Sequence, residues 1–161
     1  GSVISYDPNY RASLWSDEET AKKHMRSLVP YVDLMKISDE ETELLTDEKE
    51  VEKAAEMLYR QGVKIVAVTL GHKGTYIYGK DGGCVVPGFE VTQIGDTNGA
   101  GDSFWGGFLY QIIGSGKRLE ELTKDDLVKF ARFGNAVASL CVEKKGAIPA
   151  MPTLEQVKKR L

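Results

Sequence analysis

The sequence predicts an α/β protein, a three-layer, Rossmann-like fold whose mostly parallel sheet carries helices on both faces. Three observations predict it. The segment "KIVAVTL" at 64–70 is apolar almost throughout, the pattern of a strand buried on both faces in a parallel sheet. Short apolar strands alternate with amphipathic helical stretches along most of the chain, which is the layer pattern of α/β proteins. A glycine-rich segment, "IGDTNGAGDSFWGGF" at 94–108, then runs directly into an apolar stretch with helical spacing. Ligands of such sheets bind beyond the carboxyl ends of the strands, so "TLG" at 69–71 and the glycine-rich loop are expected to share one rim.

The elements follow in order. "VISY" (3–6) is a short strand ended by the turn residues Asp7-Pro8-Asn9. Ser16 with Glu19 three residues later has the spacing of a capping box, predicting a helix to about Val29 that stops near Pro30. "VDLMKI" (32–37) is a second strand, and Ser38 is placed to cap the short helix of "SDEETELLT". "DEKEVEKAAEMLYRQG" is an amphipathic helix closed by Gly62. The strand at 64–70 is followed by a hairpin, "GTYIYGKDGGCVVPG", with Asp81-Gly82-Gly83 at its turn. Helices are predicted from about 101 to 113, from about 124 to 142, and from Thr153 onward.

Bulk properties narrow the function. The 161 residues suit one domain, and 42% hydrophobic with 28% charged residues is the balance of a globular protein with a real core. A net charge of −3 gives no general attraction to nucleic acid or anionic membrane. No apolar run has membrane-spanning length and no signal peptide is visible, so a cytoplasmic setting is expected. Cys84 and Cys141 lack metal-ligand spacing and are expected as free thiols. Gly1-Ser2 has the look of a cloning scar, leaving 3–161 as the natural portion.

The glycine-rich loop carries the chemistry. Phe104, Phe108, Leu109 and Ile112 define one face of a helix that starts just after the last loop glycine. The first N–H groups of a helix have no intrahelical partner, and glycines let an anion approach them closely. Gly99, Ala100 and Gly101 are thus candidates for an anion hole, and Asp102 for a general base accepting a hydroxyl proton beside it. The competing explanation of Asp102 is simple stabilisation of an acid by the helix dipole, about 0.3–1 kcal/mol. Lys-Ser/Thr does not follow the last glycine, so the loop is not a Walker A motif, and G-x-G-x-x-G is absent.

"DTNGAGDSFWGGF" resembles the DTxGAGD signature of the ribokinase-like, or PfkB, carbohydrate kinases. "SYDPNYRASLW", "VDLMKISDEETELLT", "VAVTLGHKGTYIY" and "FGNAVASLCVEKKGAIPAMP" resemble further family stretches in the same order, over nearly the whole chain from residue 3. The resemblance leans towards fructokinase, with 2-keto-3-deoxygluconate kinase beside it. It implies ATP as phosphoryl donor and a small-molecule sugar as acceptor. Asp102 then matches the catalytic base, and Gly99, Ala100 and Gly101 the anion hole. Thr69, Gly71 and Gly74 match the loop along the nucleotide phosphates, and Asn135 and Ala138 the lining of the adenine pocket. Close helix packing alone also accounts for Gly134, Asn135 and Ala138. Glu41 matches a glutamate that orders water around Mg²⁺, with Ser38 standing where the family motif has Asn; the other explanation is a solvated helix face. Asp96 matches the acid of a K⁺ site, completed by carbonyls of Asn98, Cys141, Lys144 and Gly146, with Ala150 at a position where a serine can serve as ligand. Arg11 resembles an arginine at the substrate end of the cleft, or else a surface ion-pair partner. Trp15, Trp105, His24 and His72 read as packing or surface residues.

Members of the resembled family are longer, and 3–161 maps onto their C-terminal, nucleotide-binding half. The first strands, most of the sugar pocket and a β lid are then expected in an N-terminal half. An open sheet edge would follow, inviting self-association or pairing with another chain. Weak or absent turnover by this chain alone would follow too. A non-catalytic nucleotide-binding or assembly module is the rival from another class, and a dinucleotide-dependent oxidoreductase is a third reading.

Overall fold

The computed structural model describes residues 2–161; Gly1, half of the expected Gly1-Ser2 scar, lies outside the described residues. The chain divides into two compact units. One comprises residues up to Thr69 together with Tyr76–Cys84; the other comprises Leu70–Thr75 and Val85–Leu161.

The first unit holds the parallel strands β1 (Ser5–Tyr6), β2 (Leu34–Ser38) and β3 (Ile65–Thr69), with helices α1 (Glu18–Leu28), α2 (Thr42–Thr46) and α3 (Val51–Arg60) between them. A hairpin of β4 (Gly74–Gly79) and β5 (Gly82–Pro87) completes a five-stranded sheet in the order β1-β2-β3-β4-β5. Leu34, Met35, Lys36 and Ile37 in β2, and Ile65 to Val68 in β3, are all buried, as the continuous apolar run at 64–70 predicts for a strand covered on both faces. β1 and β5 are the edge strands, and Val3 and Ile4, just before β1, are exposed.

Several boundaries differ from the sequence reading for identifiable reasons. β1 is shorter than 3–6 because the Ile4 N–H donates to the Asp33 carboxylate at 2.9 Å, so a side chain replaces a ladder partner. β2 begins at Leu34 rather than Val32, because the Val32 N–H closes a 3₁₀ turn onto the Val29 carbonyl at 3.1 Å. The cap of α1 is Asp17, not Ser16: its carboxylate accepts from the Thr20 N–H at 2.7 Å and the Thr20 hydroxyl at 2.9 Å. Ser16 instead donates its hydroxyl to Asp17 at 2.9 Å. The hairpin turns at Lys80 and Asp81, and Gly82, with φ of 81°, already opens β5.

The second unit is built on α4 (Ala100–Ser115), α5 (Lys124–Val142) and α6 (Leu154–Arg160). α4 and α5 cross at two glycines. A Cβ on Gly107 would lie 2.9 Å from a Val137 methyl, and one on Gly134 would lie 2.7 Å from the Phe104 ring. Phe104, Trp105, Phe108 and Ile112 are buried, with Trp105 and Phe108 stacked at 5.3 Å, so the expected face of α4 is correct apart from the partly exposed Leu109. Val157 of α6 packs against Phe133, Ala136 and Val137 of α5. Thr123 and Thr153 cap α5 and α6 by accepting from the N–H groups of Asp126 and Gln156.

Candidate active site

The glycine-rich loop of the second unit is built to bring backbone close to backbone. A Cβ on Gly95 would lie 2.9 Å from the Glu143 carbonyl oxygen. The Gly95 and Asp96 N–H groups donate to the Val142 carbonyl at 2.8 and 3.2 Å, fixing the loop to the end of α5. Asp96 accepts from the Asn98 N–H at 3.0 Å and from the Gly146 N–H at 3.1 Å. These donors hold its carboxyl below the ordinary carboxylate range, so its charge is secured where the loop turns. Gly99 then adopts φ of 77°, and a Cβ there would meet the Ala147 Cβ at 2.6 Å.

Helix α4 starts at Ala100, and its first i→i−4 bond is the Ser103 N–H to the Gly99 carbonyl at 2.8 Å. The N–H groups of Ala100, Gly101 and Asp102 precede it and have no intrahelical acceptor. Ala100 turns its N–H towards the Thr97 carbonyl at 3.3 Å, leaving Gly101 and Asp102 as the donors at the helix mouth. The Asp102 side chain is exposed on this first turn. Acid and outward-facing amides thus lie on one helical turn, the juxtaposition a proton-accepting group beside an anion needs.

A second feature of this unit is the loop after β3. Gly71 has φ of 58° with open space where a Cβ would be, whereas a Cβ on Gly74, at φ of 106°, would overlap the Val86 carbonyl. The Leu70 N–H closes the loop on the Gly74 carbonyl at 2.9 Å, and the Gly88 N–H donates to the Lys73 carbonyl at 3.2 Å. Asn135, only 6% exposed, accepts from the Thr75 hydroxyl at 2.8 Å and donates to the Val86 and Pro87 carbonyls at 3.0 and 3.1 Å. Its side chain was readable from sequence as a packing or a ligand residue, but not as this three-way bridge. Ala138, one turn on, is partly exposed.

In the first unit, Thr69 ends β3 with its hydroxyl donating to the Ile37 carbonyl at 3.3 Å. The solvated-face explanation of Glu41 is overturned, since it is 7% exposed. Its Oε2 accepts from the Ser38 N–H at 2.8 Å and the Ser38 hydroxyl at 3.1 Å, and its Oε1 accepts from the Tyr10 N–H at 2.6 Å. Sequence reasoning missed Lys36, 5% exposed within β2, whose ammonium pairs with Asp7 at 3.0 Å. A lysine inside an otherwise apolar strand was the available signal. The "DPNYR" segment is thereby held twice, at Asp7 by Lys36 and at Tyr10 by Glu41, while Asn9 takes φ of 47°. Burial, with the charges of Glu41 and Asp7, raises the Tyr6 phenol above its ordinary pKa. Arg11 is exposed and donates to the Tyr10 carbonyl at 2.9 Å, and no carboxylate pairs with it among the described residues.

No group of three or more His, Cys, Asp or Glu side chains able to hold a metal occurs among the described residues. The Cys141 carbonyl accepts from the Lys144 N–H at 3.2 Å, Cys141 is a buried free thiol, and Ala150 is buried. No described helix is long and apolar enough to cross a membrane.

The chain is an α/β protein whose glycine-led helix carries an exposed acid on its first turn. The chain belongs to the pfkB family of carbohydrate kinases, whose family model matches residues 1–154. It is 40% identical over 158 residues to Fructokinase-1 of Zea mays, covering 98% of this chain and 48% of that protein. It is 40% identical over 157 residues to Fructokinase-2 of Solanum lycopersicum, covering 97% and 47%. Among solved structures it resembles fructokinase from Vibrio cholerae O395 in a fructose, ADP and calcium ion bound form. That match has a TM-score of 0.89 at 29% identity, over 100% of this chain and 51% of that one. It also resembles a ribokinase from Thermotoga maritima, with a TM-score of 0.75 at 29% identity over 99% and 48%. The chain spans about half the length of the curated relatives named here.

Proposed function

We propose that this chain is the C-terminal, ATP-binding and base-bearing portion of a fructokinase-like sugar kinase. One observation carries the reading: the exposed Asp102 carboxylate shares the first turn of α4 with the outward N–H groups of Gly101 and Asp102, behind the left-handed Gly99. In the proposed reaction a sugar hydroxyl oxygen attacks the γ-phosphorus of ATP, and its proton passes to the Asp102 carboxylate. The bond from that phosphorus to the bridging oxygen of ADP breaks, and the helix-mouth amides stabilise charge on the transferring group. Thr69, Gly71 and Gly74 follow the phosphates in this reading, Ala138 lines the base, and Arg11 faces the sugar.

Two ions belong to the proposal. Glu41 keeps spare lone-pair capacity on Oε1 beyond the Tyr10 N–H, which fits an indirect hold on Mg²⁺ through water. Mg²⁺, when bound, neutralises phosphate charge. Asp96, whose carboxylate is held by the Asn98 and Gly146 N–H groups, is the acid of a K⁺ site in this reading, with the carbonyls of Asn98, Cys141, Lys144 and Gly146 as its further ligands. Fructose is the favoured acceptor because the relatives bear that name at about 40% identity; 2-keto-3-deoxygluconate is the first alternative to assay. A cytoplasmic setting fits the two free cysteines.

The test is two-part. Calorimetry on this chain should detect ATP–Mg²⁺ binding and none of NAD. The chain joined to the N-terminal half of a fructokinase relative should release ADP in response to fructose. Absence of both signals sinks the reading, and binding without sugar-dependent release in the joined protein favours a non-catalytic nucleotide module.

A further inference from the structure

We infer that Asn135 is a positioning residue, which shapes the phosphate loop 70–74 instead of reading the nucleotide base with its amide hydrogens. The inference rests on the ATP-binding reading above. Its support is the three hydrogen bonds made by one buried amide. The Oδ1 of Asn135 accepts from the Thr75 hydroxyl at 2.8 Å. Both hydrogens of Nδ2 have acceptors, the Val86 carbonyl at 3.0 Å and the Pro87 carbonyl at 3.1 Å. A carboxamide has two N–H donors and an oxygen with two lone pairs; with Nδ2 committed to two carbonyls, no donor is left to read a base edge.

The groups it joins are the two sides of the loop base. Thr75 directly follows Gly74, where the loop closes through the Leu70 N–H and the Gly74 carbonyl at 2.9 Å. Val86 and Pro87 lead into Gly88, whose N–H donates to the Lys73 carbonyl at 3.2 Å. Gly74 packs with no room for a Cβ against the Val86 carbonyl, and a Cβ on Gly88 would lie 2.5 Å from the His72 carbonyl oxygen. A shift of 86–88 away from 74–75 pulls on the Gly88–Lys73 bond and so loosens the backbone of residues 72–74. Asn135 prevents that shift from α5. Without it, the buried Thr75 hydroxyl and the Val86 and Pro87 carbonyls lose these bonds, and the loop gains conformations that do not fit a phosphate chain.

Base contact and loop positioning predict different selectivity. In calorimetry at a temperature where every variant is folded, this chain is titrated with ATP, GTP and inorganic tripolyphosphate, each with Mg²⁺. If Asn135→Ala lowers the competent loop population to about a tenth, all three ligands weaken about tenfold together. Thr75→Val, a smaller lesion kept in case Asn135→Ala does not fold, weakens the same three in proportion. The double variant then loses less than the product of the single losses. Loss for ATP with tripolyphosphate unaffected would show base contact and overturn the inference, as would unchanged affinity in both variants. A merely structural role lowers the unfolding midpoint and leaves all three affinities intact, which also overturns it. Failure of the parent chain to bind any of the three defeats the ATP-binding reading itself, a different outcome from failure of the variants to differ.

Discussion

Replacing Gly99 with alanine tests whether the helix mouth depends on one left-handed residue pressed against a neighbouring loop. At φ of 77° a non-glycine residue is strained by about 1–2 kcal/mol. The new Cβ would also stand 2.6 Å from the Ala147 Cβ and 3.2 Å from its Cα. Relaxed carbon contacts lie at about 3.5–4.0 Å, so one loop must yield, and overpacking of this kind costs about 1–3 kcal/mol. The combined penalty is about 3 kcal/mol, near the middle of the summed range, for a midpoint lowered by about 6–12 °C in a chain of this size. Urea unfolding of Gly99→Ala, Ala147→Gly and the double variant separates the two contributions. Ala147→Gly removes the clashing methyl but leaves the backbone strain, so the double variant recovers about half of the Gly99→Ala loss. Two results refute the reasoning: a Gly99→Ala penalty below about 0.5 kcal/mol, the scale of an ordinary surface change, or strict additivity of the two substitutions.

Two further predictions concern charge. Asp126 accepts from the Lys117 ammonium at 2.8 Å and the Thr123 N–H at 3.0 Å, which lower its pKa from 3.8 to about 2. Because the folded value lies below the unfolded one, this contribution is complete above about pH 4 and disappears as pH falls towards about 2. Asp126→Asn should therefore flatten the acid limb of the urea midpoint against pH; an unchanged limb contradicts the assignment. For the buried Lys36–Asp7 pair, Asp7→Ala strands a cation in β2 and should destabilise by about 3 kcal/mol. Adding Lys36→Met should restore most of that loss, and equal instability of the single and double variants would show that the stranded charge is not the cause.

What could be read from the sequence was what local chemistry determines. The apolar run of β3, the start and end of α5, and the start of α6 near Thr153 were readable and are found as expected. The glycine-led start of α4, with Asp102 on its first turn, was likewise legible from spacing. Choices between neighbouring candidates were not: Ser16 and Asp17 both suit a cap, and only the Thr20 bonds to Asp17 decide between them. Long-range partners were illegible altogether. Glu41 sits in an acidic run that reads as a wet helix face, yet Tyr10, 31 residues away, and Ser38 enclose it. Asn135 looks like any polar residue on a helix until Thr75, Val86 and Pro87, 48 to 60 residues distant, arrive around its amide.

The most direct test of the central claim, that Asp102 is the base of a sugar kinase, is fructose-dependent ADP release by Asp102→Asn. The measurement uses this chain joined to the N-terminal half of a fructokinase relative, with the unsubstituted joined protein beside it. The account predicts ATP affinity close to the parent's and turnover reduced by about 10²–10⁴-fold, the contribution of a positioned general base. Parental turnover in Asp102→Asn would contradict it.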